Sequence, residues 1–123
     1  MQKILIVNND LDTMSLLKAW LQKKNYDVIF TANKDEVISI IQAFHPQLIL
    51  IDILHINMIK KIKAKPRNNS IRIMVMTGYT HRGNNTMAGV DDTIEKPFDL
   101  PLLEDKIKKL LPSVSDSVIL DSF

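Results

Sequence analysis

A chain of 123 residues with 46% hydrophobic and 24% charged side chains, a net charge of +2 and no cysteine has the composition of one folded domain around one core. The missing cysteines exclude disulfides, thiolate catalysis and Cys-based metal sites, and the near-balanced charge gives no general attraction to nucleic acid. The longest apolar runs, ILIV and LILI, are too short to span a bilayer, so a cytoplasmic protein without membrane contact is expected.

The run at residues 4–7 predicts a first strand, which passes directly into the short polar side chains of Asn8, Asn9 and Asp10. A helix follows over residues 12–24, with Leu16, Leu17, Trp20 and Leu21 in helical spacing and Asn25 placed to stop it in the left-handed conformation. After a second strand at residues 28–30, a helix over residues 34–44 carries Val37, Ile38, Ile41 and Phe44 on one face, and Pro46 bars its continuation. The third strand, residues 48–51, is apolar without alternation, as a strand covered on both faces requires, and it ends on Asp52.

Residues 56–65 predict a short third helix, and the basic run KKIKAKPR at residues 60–67 reads as a solvated face because no aromatic side chain interleaves it. A fourth strand at residues 71–76 leads to Thr77. In TGYTHRGNNTMAG only Met87 and Ala88 are apolar anchors, so a helix there is short and weakly held. A weaker fifth strand at residues 90–94 leads to Lys96, and Pro97 restrains the backbone just after it. The last helix opens with Asp99 as its cap, accepts Pro101 in its first turn and turns Leu103, Ile107, Leu110 and Leu111 inward. Residues 1–111 are read as the domain, and residues 112–123, which begin with a helix breaker, as a flexible tail or linker stub.

Alternation of this kind predicts an α/β fold, a doubly wound five-stranded parallel sheet with helices on both faces, and ligands beyond the carboxyl ends of the strands. At those ends stand the Asn8–Asp10 cluster, Asp52, Thr77 and Lys96. Taken singly, each reads as a cap, a turn residue or a surface charge. Together they suit an anionic group: Asp52 is a lone carboxylate, Lys96 its counter-charge, and Thr77 a hydroxyl for an oxygen of a bound phosphoryl group.

The stretches ILIVNND, LILIDI, IMVMTG and GVDDTIEKPFDLPLLEDKI fall in the order of the motifs of the receiver domain of two-component response regulators, and residues 3–111 resemble that family. KPFD is the most specific of the matches. The resemblance implies a flavodoxin-like strand order 2-1-3-4-5, a histidine kinase or phosphotransfer protein as phosphoryl donor, Asp52 as acceptor, Thr77 as the switch hydroxyl and Lys96 as the phosphate-binding lysine. It implies a phosphoryl-accepting module rather than an enzyme, with Mg²⁺ as cofactor and a downstream effector protein or fused output domain as partner. It also implies a homodimer formed through the fourth-helix face.

In the family the positions of Asn8 and Asn9 are ordinarily acidic, and the second holds Mg²⁺ together with the acceptor and the carbonyl two residues beyond it. The implied metal set here is therefore Asn9, Asp52 and Leu54. A neutral amide oxygen lacks the charge that offsets dehydration of Mg²⁺, so binding weaker by at least roughly tenfold is expected, at about 1.4 kcal/mol per decade. Asp10 or Asp12 substitutes only by turning into the site, away from the cap and first turn of the helix.

Other departures follow. ILHINMIKK lacks the Met-Pro and acidic-glycine pairs that commonly follow the acceptor, Thr93 replaces an aromatic residue, and the 19 positions from Thr77 to Lys96 are about one helical turn short. His55, three residues after Asp52, is close enough in sequence to approach the site, but the reading preferred is a solvent-exposed loop side chain. These departures also motivate an alternative, a degenerate receiver acting as a phosphorylation-independent interaction module. A third reading, a flavodoxin-like cofactor binder or hydrolase, requires a phosphate loop or nucleophile elbow that the sequence lacks.

Overall fold

In a computed structural model that describes residues 1–78 and 88–112, the strands Lys3–Val7 (β1), Asp27–Thr31 (β2), Leu48–Asp52 (β3), Arg72–Thr77 (β4) and Asp92–Glu95 (β5) form one sheet in the order β2-β1-β3-β4-β5. Every neighbouring pair is parallel, as the strand and helix alternation predicts. The described helices are Leu11–Lys23 (α1), Val37–Phe44 (α2), Met58–Lys63 (α3) and Leu100–Leu110 (α4).

Successive strand residues feed opposite faces, which explains why the strands are apolar without alternation. Ile4, Ile6, Leu48, Leu50 and Met74 pack with Leu17 and Leu21 of α1 and Leu103 and Ile107 of α4. Leu5, Val7, Ile49, Ile51 and Val75 pack on the other side with Val37 and Ile41 of α2 and Ile59 and Ile62 of α3. Each such side chain contributes on the order of 1.5–3 kcal/mol on burial.

The helix ends follow their local chemistry. Asp10 caps α1, and Asn25 takes the expected left-handed conformation, with φ 72°. The helix expected over residues 34–44 begins instead as a 3-10 turn, Lys34–Glu36, capped by Asn33, and becomes α-helical at Val37. It stops where His45 adopts φ 55° and donates its backbone N–H to the Ile41 carbonyl, one residue before Pro46. Asp99 caps α4 through the Leu102 N–H at 3.3 Å, with a proline in the first turn.

The third helix is shorter than residues 56–65. A separate 3-10 turn, Ile53–His55, precedes it, because the Asp52 side chain accepts the Leu54 N–H and tightens the chain just after β3. At its other end Lys65, which precedes Pro66, is extended rather than helical. The basic run is not wholly a solvated face. Lys63 Nζ donates to the carbonyls of Asn68, Asn69 and Ile71 at 3.4, 3.4 and 2.7 Å, fastening the loop before β4.

At the amino edge of the sheet, Gln47 Oε1 accepts the Lys3 N–H at 2.6 Å, and buried Asn68 donates to the Ile62 carbonyl at 2.8 Å. The fifth strand starts at Asp92 rather than Val90, since Asp91 turns its carboxylate onto the Ile73 N–H at 2.8 Å. The weak helix expected around Met87 and the expected tail lie outside the described residues, apart from Ala88 and Pro112 at their borders. Among the described residues no helix is long and apolar enough to cross a membrane.

Candidate functional site

The register Val7↔Ile51, Asp52↔Met76 and Thr77↔Glu95 brings the carboxyl ends of β1, β3, β4 and β5 to one edge. Asp52, the last residue of β3, is only 4% exposed. Its Oδ1 accepts the Leu54 N–H at 2.9 Å, and its Oδ2 forms an ion pair with Lys96 Nζ. Lys96 is tied in turn to β4, because its backbone N–H donates to the Thr77 carbonyl at 2.7 Å. The Lys96–Pro97 peptide is cis. Thr77 is buried at the end of β4. The structure thus joins Asp52 directly to Lys96 and holds Thr77 next to both through the sheet.

The end of β1 is built differently. Asn8 is 2% exposed, and its backbone N–H extends the ladder by donating to the Thr31 carbonyl at 3.2 Å. Its side-chain Oδ1 accepts the Asp10 N–H at 2.8 Å. A backbone N–H only donates, so this contact fixes which end of the amide is oxygen. Nδ2 then lies buried with no hydrogen-bond partner among the described residues. Carrying the Val7↔Ile51 pairing one residue further sets Asn8 alongside Asp52. Both continue the rows of the α1/α4 face, Ile4 and Ile6 in one strand, Leu48 and Leu50 in the other.

Asn9 is exposed and His55 half-buried, and Asn9 Oδ1 lies 2.9 Å from His55 Nε2. With the amide oxygen accepting, the imidazole proton is assigned to Nε2. This corrects the expectation of a solvent-exposed loop histidine. The 3-10 turn after Asp52 folds His55 back against the end of β1, a contact between residues 46 positions apart that its nearness to Asp52 only hinted at.

Asp10 is committed to α1. Its Oδ1 accepts the Thr13 N–H at 3.2 Å and its Oδ2 the Thr13 hydroxyl at 2.6 Å. These two bonds hold its carboxyl below the usual 3.8, with a lesser contribution from Lys96. The Leu54 side chain is 78% exposed, so only its backbone belongs to the site.

The donors do not match the needs of Mg²⁺, which favours carboxylate and water oxygens in octahedral array. Asp52 is the one carboxylate in the implied set, and it already faces Lys96. The Asn9 oxygen is engaged by His55, and no group of three His, Cys, Asp or Glu side chains suited to a metal occurs among the described residues. Asn8 adds an N–H donor where a cation site needs an oxygen. The arrangement is instead a buried carboxylate beside a fixed cation, a hydroxyl and an amide, which suits transfer of an anionic group to the carboxylate.

A family model described as the response regulator receiver domain matches residues 4–108. Sporulation initiation phosphotransferase F of Bacillus subtilis is 29% identical over 123 residues, covering 94% of this chain and 98% of the relative. The transcriptional regulatory protein ResD of Bacillus subtilis is 28% identical over 120 residues, covering 94% of this chain and 50% of the relative. The chain spans about half the length of several curated relatives that it matches. The same fold occurs in the receiver domain of the sensor histidine kinase PA1611 from Pseudomonas aeruginosa PAO1, with TM-score 0.80, 21% identity, and coverage of 91% of this chain and 98% of that one. That structure has a magnesium ion coordinated in its active site cleft.

Proposed function

The chain belongs to the response regulator receiver family, and from that premise we propose that Asp52 accepts a phosphoryl group from the phosphohistidine of a histidine kinase or phosphotransfer protein. The observation that carries this reading is the Asp52–Lys96 ion pair at the carboxyl edge of the sheet, with Thr77 on the strand between them. In the transfer, the donor P–N bond breaks and an Asp52 Oδ–P bond forms. The donor imidazole leaves neutral, keeping the proton on its other ring nitrogen.

Once the carboxylate is phosphorylated, the charge that held Lys96 moves outward onto the phosphoryl oxygens, and the ammonium follows it. The Thr77 hydroxyl donates to another of those oxygens. Receiver domains bind Mg²⁺ in this cleft, where the ion neutralises phosphoryl charge. In this chain Asn9, Asp52 and the Leu54 carbonyl would hold it, with an affinity lower by at least roughly tenfold. Residues 1–111 form the receiver unit, acting in the cytoplasm on a downstream effector protein or a fused output domain.

The test is intact-protein mass spectrometry after incubation with acetyl phosphate, beside the Asp52→Asn variant. One phosphoryl mass is expected on the native chain and none on the variant. An adduct that persists in a folded Asp52→Asn protein, or a native chain that stays unmodified with and without Mg²⁺, would sink the assignment.

A further inference from the structure

The site holds one group that the acceptor chemistry does not use. Asn8 Nδ2 is buried and has no acceptor among the described residues, although an unmet buried donor costs about 1–3 kcal/mol. Nothing about the fold requires it there. The Asp10 N–H needs only an acceptor oxygen, which a serine hydroxyl or an aspartate would also supply. What asparagine adds over either is an N–H pair fixed in direction by the Oδ1 contact at 2.8 Å. Asn8 itself stands alongside Asp52 on the neighbouring strand, continuing the Val7↔Ile51 register, and adjacent strands lie about 4.8 Å apart.

We propose that Asn8 Nδ2 is a hydrogen-bond donor to a tetrahedral oxyanion at Asp52, so that the site holds a phosphoryl or phosphate group without a divalent cation. This deepens the phosphoryl-acceptor reading and rests on it. The Asn8 amide then joins the Lys96 ammonium, which already pairs with Asp52, as a second donor to the anion. A carboxylate at residue 8 would repel the same anion and call for a metal to mask it. Asparagine makes the opposite choice, consistent with the poor donor set for Mg²⁺ and with Asp10 being committed to the α1 cap.

The position of the Asn8 amide is set by the β1 ladder and by the Asp10 contact before any ligand arrives, so the anion meets a preformed dipole. An oxygen that reaches Nδ2 satisfies a group otherwise unmet, so the full contact counts toward binding rather than replacing one to water.

The experiment uses the full chain, ¹⁵N-labelled, titrated with inorganic phosphate in EDTA. The Asn8 side-chain NH₂ resonances and the backbone amide of Leu54, which donates to Asp52, should shift saturably in the native chain, and in Asn8→Asp the Leu54 shift should need at least about tenfold more phosphate, about 1.4 kcal/mol. That variant keeps the volume and the Oδ1 acceptor, so it folds as a control, and Asn8→Ala is expected to behave likewise. No saturable shift in the native chain, or a Leu54 shift that saturates at the same phosphate concentration in Asn8→Asp, overturns the proposal. A parallel acetyl phosphate reaction separates the two ideas. Modification of Asp52 with Mg²⁺ but none in EDTA overturns metal-free binding while leaving the acceptor role intact. Phosphate binding through Asn8 without any modification of Asp52 keeps the inference and removes the acceptor role.

Discussion

Among the described residues two asparagines are buried, at opposite ends of the sheet, Asn68 at 4% and Asn8 at 2% exposure. Asn68, at the amino edge, spends its amide nitrogen on the Ile62 carbonyl at 2.8 Å, and Lys63 nearby closes three more carbonyls. Asn8, at the carboxyl edge, leaves its nitrogen unmet among the described residues. The same side chain thus stabilises the fold in one place and keeps a donor in reserve in the other. The amino edge is closed by satisfied polar groups, while the carboxyl edge is organised around groups that await a ligand.

The largest effect expected of this contrast is on stability. Replacing Asn68 by alanine leaves the Ile62 carbonyl without its 2.8 Å donor and with the longer Lys65 N–H contact at 3.5 Å, and should lower the unfolding free energy by about 1–3 kcal/mol. Asn8→Ala removes an unmet donor along with one contact to Asp10, and the two effects should offset to within about 1 kcal/mol. Urea unfolding of both variants measures the difference, and equal losses would erase the distinction between the edges.

Next in size is the metal. Asn9→Asp puts a carboxylate at the position that the family resemblance implies for the metal, and calorimetry should find Mg²⁺ bound at least about tenfold tighter, near 1.4 kcal/mol. Unchanged affinity would mean that the His55 contact, not the missing charge, governs the cation.

The smallest effect concerns Asp10, whose carboxyl is lowered from 3.8 mainly by its bonds to Thr13. Its folded value lies below its unfolded one, so its stabilisation is complete above 3.8 and is lost as pH falls through the folded value. The melting temperature of the native chain should therefore drop more steeply below that pH than that of Asp10→Asn. Parallel slopes would show that the carboxylate is not spent on the helix cap.

Much of this was legible in the sequence, for identifiable reasons. Strands covered on both faces must be apolar throughout, so β1, β3 and β4 announce themselves, and the helices between them dictate a parallel sheet. Asp52, Thr77 and Lys96 stand out because each breaks such a run at its carboxyl end. The start of α3 was not legible, because it depends on the Asp52 side chain capturing the Leu54 N–H. Neither was the His55–Asn9 contact, which joins two strand ends 46 positions apart. Asn8 and Asn68 are one letter in the sequence. Only the neighbouring carbonyls, set by tertiary packing, tell them apart.

Lys96 lies three residues ahead of Asp99, the cap of α4, and Phe98 and Leu100 between and beyond them rest on the core beneath α1 and α4. The ammonium that faces the acceptor is thus the handle of a short lever whose far end is a helix start. If Asp52 is the acceptor proposed above, a charge added there would act on the start of α4 through this backbone, while position 93 in β5 carries a threonine. A partner that reads the state of this receiver would then sense the setting of a helix terminus rather than the swing of a ring.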